Sequence, residues 1–333
     1  MCRIAENRVA QETSSTAAEP GRESQGSGEQ AAARPGEVDI PMGFSTQSNL
    51  WQCGPYALMH ALISLGVLVN EKEISRLAGT DASGTDELEL ARAAKEFGCK
   101  LRTVRHSDPD RARRALVRQL RRGIPCLLCI HQWRHWVAVV KEERGRFILL
   151  DSEEKAVLTI VSSEELSRLW VYHQKDEVSR NGNGSLYDLH PLVPRFRVRL
   201  RARFSISRAR FLRRPENRGL ARQWDKYLED LLVLCRPANR LAVDVISLGE
   251  FLRRHGGMIV DQVAFWHGSI ARAQAEKVLR NMRFVAATHG LVIPPNDVER
   301  VIAGLTAILT LWAGGKFGVS PIYEARKPRR KSK

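Results

Sequence analysis

An apolar run from Pro55 to Leu65 follows the dipeptide Cys53-Gly54, and its spacing is helical: Ala57, Leu58, Ala61, Leu62 and Leu65. Proline suits the first turn of a helix, where its missing N–H costs nothing. Cys53 is therefore expected at a helix N-terminus, with Gly54 allowing a tight turn. The dipole and free N–H groups of a helix start favour a thiolate, so Cys53 is a candidate nucleophile. That chemistry also needs a base and a group to orient it.

Both are present downstream. The stretch His131 to Val140 reads H-Q-W-R-H-W-V-A-V-V, and His135 directly precedes a strand-like run, Trp136 to Val140. A charged turn follows, then a second strand from Phe147 to Leu150, then Asp151. Antiparallel pairing of the two strands sets the start of one beside the end of the other. His135 and Asp151 should thus be neighbours. A carboxylate beside an imidazole fixes its tautomer and stabilises the imidazolium. His131 is the rival base, but the strand starts immediately after His135. Gln47 lies six positions before Cys53, within Q-S-N-L-W-Q-C-G.

With these residues, positions 43–172 resemble the papain-like cysteine peptidases of the bacteriocin-processing, double-glycine-leader type. The resemblance covers about 40% of the chain. It implies Cys53 as nucleophile, His135 as general base, Asp151 as orienting acid and Gln47 as oxyanion donor. Two positions depart from the pattern. Ser152 stands where the family often has proline, and Gln52 where it often has Asp or Asn. Double-glycine specificity is therefore not carried over.

The predicted order is helices near 71–77, 85–97 and 108–122, then strands at 124–130, 136–140, 147–150 and 157–161, and a helix at 163–170. Helices followed by an antiparallel sheet make an α+β, papain-like domain over 41–173. Residues 1–40, rich in Ser, Glu, Gln, Gly and Ala, read as a disordered leader. Residues 174–192, rich in Gly and Asn, read as a linker.

The remainder, 193–333, is expected to be a basic, mainly helical domain with a basic tail. Residues 1–190 hold 25 Lys/Arg and 26 Asp/Glu; residues 191–333 hold 28 and 11. Arg195, Arg197, Arg199, Arg201 and Arg203 alternate with apolar residues, the period of a strand with one basic face. Such a face neutralises phosphates, so nucleic acid or another polyanion is a candidate partner of this domain. Helices are expected near 219–234, 247–255, 269–284 and 296–313.

Cys126, Cys129, His131 and His135 invite a zinc reading, but the ligand pairs lie too close together for the chain to fold around a metal. Three-residue spacing in a strand also points the two cysteines to opposite faces. Neither metal nor cofactor is expected. Six scattered cysteines without a disulfide rhythm suit a reducing, cytoplasmic compartment. The longest apolar run, Val301 to Gly315, is shorter than the roughly 20 residues that span a bilayer. The sequence therefore reads as a thiol hydrolase of peptide or isopeptide bonds acting on a peptide or protein substrate. The alternative is a binding protein without catalysis, whose peptidase-like domain recognises and whose basic domain grips a polyanion.

Overall fold

The computed structural model describes residues 46–154, 157–174, 184–198, 202–217, 219–220, 223–237, 245–268 and 270–314. A 3₁₀ turn, Leu50–Gln52, leads into α1 (Cys53–Ser64), all twelve residues of which are buried. A helix apolar on every side belongs inside a domain. It packs on the central sheet and against α2 (Glu71–Ala78) and α3 (Glu87–Glu96). Those two start where side chains cap them: Asn70 accepts from the Glu73 N–H, and Asp86 with Glu89 forms a capping box.

Next come β1 (Cys99–Leu101), β2 (Val104–His106) and α4 (Pro109–Arg121). The following elements are β3 (Cys126–Ile130), β4 (His135–Glu143), β5 (Arg146–Leu150), β6 (Leu158–Ser162), α5 (Ser163–Trp170), β7 (Tyr172–Gln174) and β8 (Gly184–Pro194). Together the eight strands make an antiparallel sheet ordered β1-β8-β3-β4-β5-β6, with β2 and β7 also paired to β8. Alternation sorts the side chains of this sheet. Leu127, Cys129, Trp136 and Ala138 join the core around α1; Cys126, Leu128, Val137 and Val139 join a second core under α4 and α5. Cys126 and Cys129 thus face opposite sides.

The segment expected as a linker is in part a strand of this sheet. β8 pairs with β1, β2, β3 and β7, and Tyr187 to Leu192 are buried. Its Pro191 and Pro194, together with the polar residues before it, conceal the strand, because proline is unusual inside a sheet. Asp188 on β8 is 1% exposed and takes a bidentate pair of hydrogen bonds from Arg105 on β2, both 2.7 Å. Arg105→Ala would leave that carboxylate buried and unpaired. It is expected to cost about 3 kcal/mol, the lower edge of the range for breaking a buried pair, because Arg105 is itself 40% exposed. Urea unfolding measures this, and a loss below about 0.5 kcal/mol would contradict it.

The arginine strand is also corrected. β8 ends at Pro194, and neither 195–198 nor 202–203 is a strand; Arg199 and Arg201 lie outside the described residues. β1 begins at Cys99, opposite Pro194, so the ladder that holds β8 runs out where the arginine segment starts. The chain instead makes single backbone bonds to Gly98, Ser64 and Thr288. Phe196, Val198 and Phe204 pack on the α1 core while Arg195, Arg197 and Arg203 stay exposed. The alternation reflects packing of one face, without strand pairing.

Beyond it lie α6 (Ile206–Arg213), α7 (Trp224–Leu234), α8 (Leu248–Trp266), α9 (Arg272–His289) and α10 (Val298–Gly314). A small sheet accompanies them, ordered β10-β11-β9: β9 (Arg236–Pro237), β10 (Ile246–Ser247) and β11 (Leu291–Ile293). Leu231, Leu248, Val263, Met282, Leu305 and Leu309 form their common core. The apolar run of α10 is spent there, and no helix among the described residues is long and apolar enough to cross a membrane. The N-terminal leader and the basic tail lie outside the described residues.

Candidate active site

Cys53 is the first residue of α1, and no side chain caps that helix. Gly54 follows for a reason the sequence did not suggest. Its backbone is helical, but a Cβ there would lie 3.1 Å from the Thr85 Cβ and 3.3 Å from Trp136 Cδ1. A side chain there would push Thr85 and Trp136 back by a few tenths of an ångström, so glycine keeps the helix start close to β4. Trp136, fully buried, locks the contact by donating from Nε1 to the Thr85 carbonyl at 3.0 Å. The residue next to His135 thereby ties β4 to the chain beside Cys53.

His135 opens β4, paired with Ile130 of β3, and is 3% exposed. The β3–β4 loop before it is unusual: His131, Gln132 and Trp133 all have φ between 54° and 60°. Three successive non-glycine residues in the left-handed region are strained and need outside support. They have it. His131 donates its N–H to Leu169, Gln132 bonds both Val171 and the His173 N–H, and Trp133 stacks on Tyr172 at 3.7 Å. The loop is held from β7 and the end of α5, so the position of His135 is set from two sides. His131 is exposed and acts on Asp151 only weakly, through its charge.

Asp151 lies where the hairpin register predicts, just past β5, whose Leu150 pairs with Ala138 of β4. His135 Nε2 and Asp151 Oδ1 are 2.7 Å apart, and the same oxygen accepts from the Glu153 N–H at 3.0 Å. Burial works against charge on His135, but the hydrogen bond to Asp151, its negative charge and the nearby Cys53 sulfur outweigh it and hold its pKa up to about 10. Burial likewise disfavours the Asp151 carboxylate, and the bonds and charge of His135 reverse that, holding the group below its usual range. Glu153 brings a further carboxylate to 3.6 Å from His135 Nδ1.

Gln47 joins the group through Ser152. Its N–H donates to the Ser152 carbonyl at 2.9 Å, and Ser152 Oγ donates to Gln47 Oε1 at 2.7 Å. With the amide oxygen so engaged, Nε2 is left buried and without a partner among the described residues. A buried, unsatisfied N–H₂ is costly unless it is kept for a ligand. Asp151 and its neighbour Ser152 thus link His135 with Gln47, and Cys53 acts on His135 through its charge. Ser152, Glu153 and Gln132 were not singled out in the sequence; the Asp-Ser in place of Asp-Pro was the only available sign of Ser152. The arginines at 195, 197 and 203 lie on a different part of the chain.

Residues 42–173 match the Peptidase C39 family. The C39 match and the sequence resemblance over 43–172 cover nearly the same span. An uncharacterized protein of Methanothermobacter marburgensis is 46% identical over 64 residues, 19% of this chain and 45% of that one. The chain spans about half the length of the curated relatives it matches. Among solved structures, the peptidase domain of Streptococcus ComA, a bifunctional ABC transporter of a quorum-sensing pathway, is 19% identical with a TM-score of 0.34. That alignment covers 45% of this chain and 96% of that domain. A double-glycine-motif protease of an AMS/PCAT transporter, in complex with its leader peptide, is 18% identical with a TM-score of 0.32, covering 46% and 91%. The C39-like region has a cysteine-peptidase-like α+β fold, and a helical region follows it.

Proposed function

We propose that the chain is a thiol peptidase. The observation that carries this reading is a buried His135 held at 2.7 Å by Asp151, with its Nδ1 left without a hydrogen-bond partner among the described residues and Cys53, at a helix start, acting on the ring through its charge. Nε2 is engaged by Asp151, which leaves Nδ1 to exchange a proton with the sulfur. The Cys53 thiolate attacks the substrate carbonyl, and Gln47 Nε2 donates to the resulting oxyanion. His135 then protonates the leaving amine, and the C–N bond breaks to leave a thioester. Water, deprotonated by His135, hydrolyses the thioester and releases Cys53. The substrate is a peptide segment; the double-glycine-motif protease is likewise in complex with a leader peptide. An amine in place of water would give acyl transfer by the same steps.

The test reads both members of the pair. Iodoacetamide at about pH 7 should label Cys53 well before Cys99, whose thiol burial pushes up to about 12. Hydrolysis requires protonated His135, so it should fall on the alkaline side as pH approaches 10. Asp151→Asn keeps an acceptor but removes the charge that raises His135. Its alkaline limb should move down by about 1–2 pH units. An unmoved limb, or equal labelling of Cys99 and Cys53, would remove the assignment.

A further inference from the structure

Away from this site, a cavity of about 490 Å³ lies between α6, the start of α8 and the second half of α9. Five arginines line it: Arg203, Arg208, Arg253, Arg280 and Arg283. The acid in its wall, Glu250, is already paired with Arg253 at 2.6 Å and Arg254 at 2.7 Å. Arg280 has Glu276 at 3.8 Å. Among the described residues, no carboxylate pairs with Arg203, Arg208 or Arg283.

Arg208 is the most constrained of the three. One terminal nitrogen donates to the Phe284 carbonyl at 2.7 Å and to Thr288 Oγ1, and the guanidinium sits 3.9 Å over the Phe284 ring. Its Nε is buried with no partner among the described residues. Burial, and then the neighbouring charge of Arg203, push its pKa down to about 10. Uncompensated cations held this close repel one another, and a bound anion relieves both the repulsion and the unmet donors. The first turn of α8 adds Ser247 and Gly249 to the wall, where a helix start favours negative charge. Arginine forks match phosphate oxygens in pairs. Phe211, stacked on Phe284 at 4.9 Å, and Ala287 make the rest of the wall apolar. The volume suits a small molecule.

We propose that this cavity binds the phosphate groups of a small molecule, held by Arg203, Arg208 and Arg283. The test is isothermal titration of the full chain with adenosine 5′-diphosphate, inorganic pyrophosphate and adenosine at about 150 mM salt, where diffuse surface charge is screened. One or both phosphate probes should bind and adenosine should not; tighter binding of the diphosphate nucleoside would show that the apolar wall takes a ring. R203Q/R283Q should weaken binding at least about tenfold, and R280Q, singly, should weaken it less. R195Q/R197Q removes the same charge outside the cavity and should change affinity by less than about twofold. Circular dichroism melts confirm that each variant is folded; Arg203 and Arg283 are exposed, so both doubles keep the core. Failure of both phosphate probes to bind, equal binding of adenosine, or equal weakening by R195Q/R197Q would overturn the proposal.

Discussion

Cys53→Ala is expected to abolish hydrolysis, with a fall in kcat on the order of 10⁶-fold. Without the sulfur no thioester forms, and the Gln47 amide and bound substrate geometry alone leave only a small residual rate. The variant should still fold, since it removes one sulfur atom from a site whose packing rests on Trp136 and Thr85. It should also still bind substrate, because nothing in the recognition surface changes. A cleavage profile of a whole proteome, wild type against variant, measures the loss and names the substrate together. Peptides cut equally by both would mean that Cys53 is not the nucleophile.

Gln47→Ala is the second large effect, about 10²–10³ in kcat with little change in KM, the range for removing one oxyanion donor. Ser152 gives this expectation a sharper form. Its hydroxyl holds the Gln47 oxygen at 2.7 Å and so fixes which end of the amide remains for the reaction. Ser152→Ala should cost about tenfold, one hydrogen bond's worth of orientation. Because Ser152 acts through Gln47, the double variant should be no slower than Gln47→Ala alone. Multiplying effects would show that Ser152 has a separate role, and full activity of Gln47→Ala would end the oxyanion assignment.

What the sequence displayed of this site was its local part. The apolar period after Cys53 and the two runs flanking Lys141 to Arg146 are short-range signals, and antiparallel register turns them into the meeting of His135 and Asp151. The left-handed loop 131–133 was not legible, because its supports come from Leu169, Val171 and Tyr172, which no period links to it. Gly54 was read as a turn residue, whereas its lack of a side chain serves an approach by Trp136, a residue 82 positions away. Gly256 also serves a close approach. The helix expected near 247–255 continues through it to Trp266, and a Cβ at 256 would come within 2.5 Å of Leu279 on α9. In both cases a tertiary contact overrode local propensity.

The path of β8 decides where this protein can be divided. The match to the C39 family stops at residue 173, yet among the described strands β1, β2 and β7 find their only partner in β8, which starts at Gly184. A fragment cut at the family boundary would orphan β1 and β2, sever β7 and bare an edge on β3, the kind of surface that draws chains into aggregates. The shortest piece able to keep this sheet whole therefore extends to Pro194, and homology and self-sufficiency mark different borders on the same polypeptide.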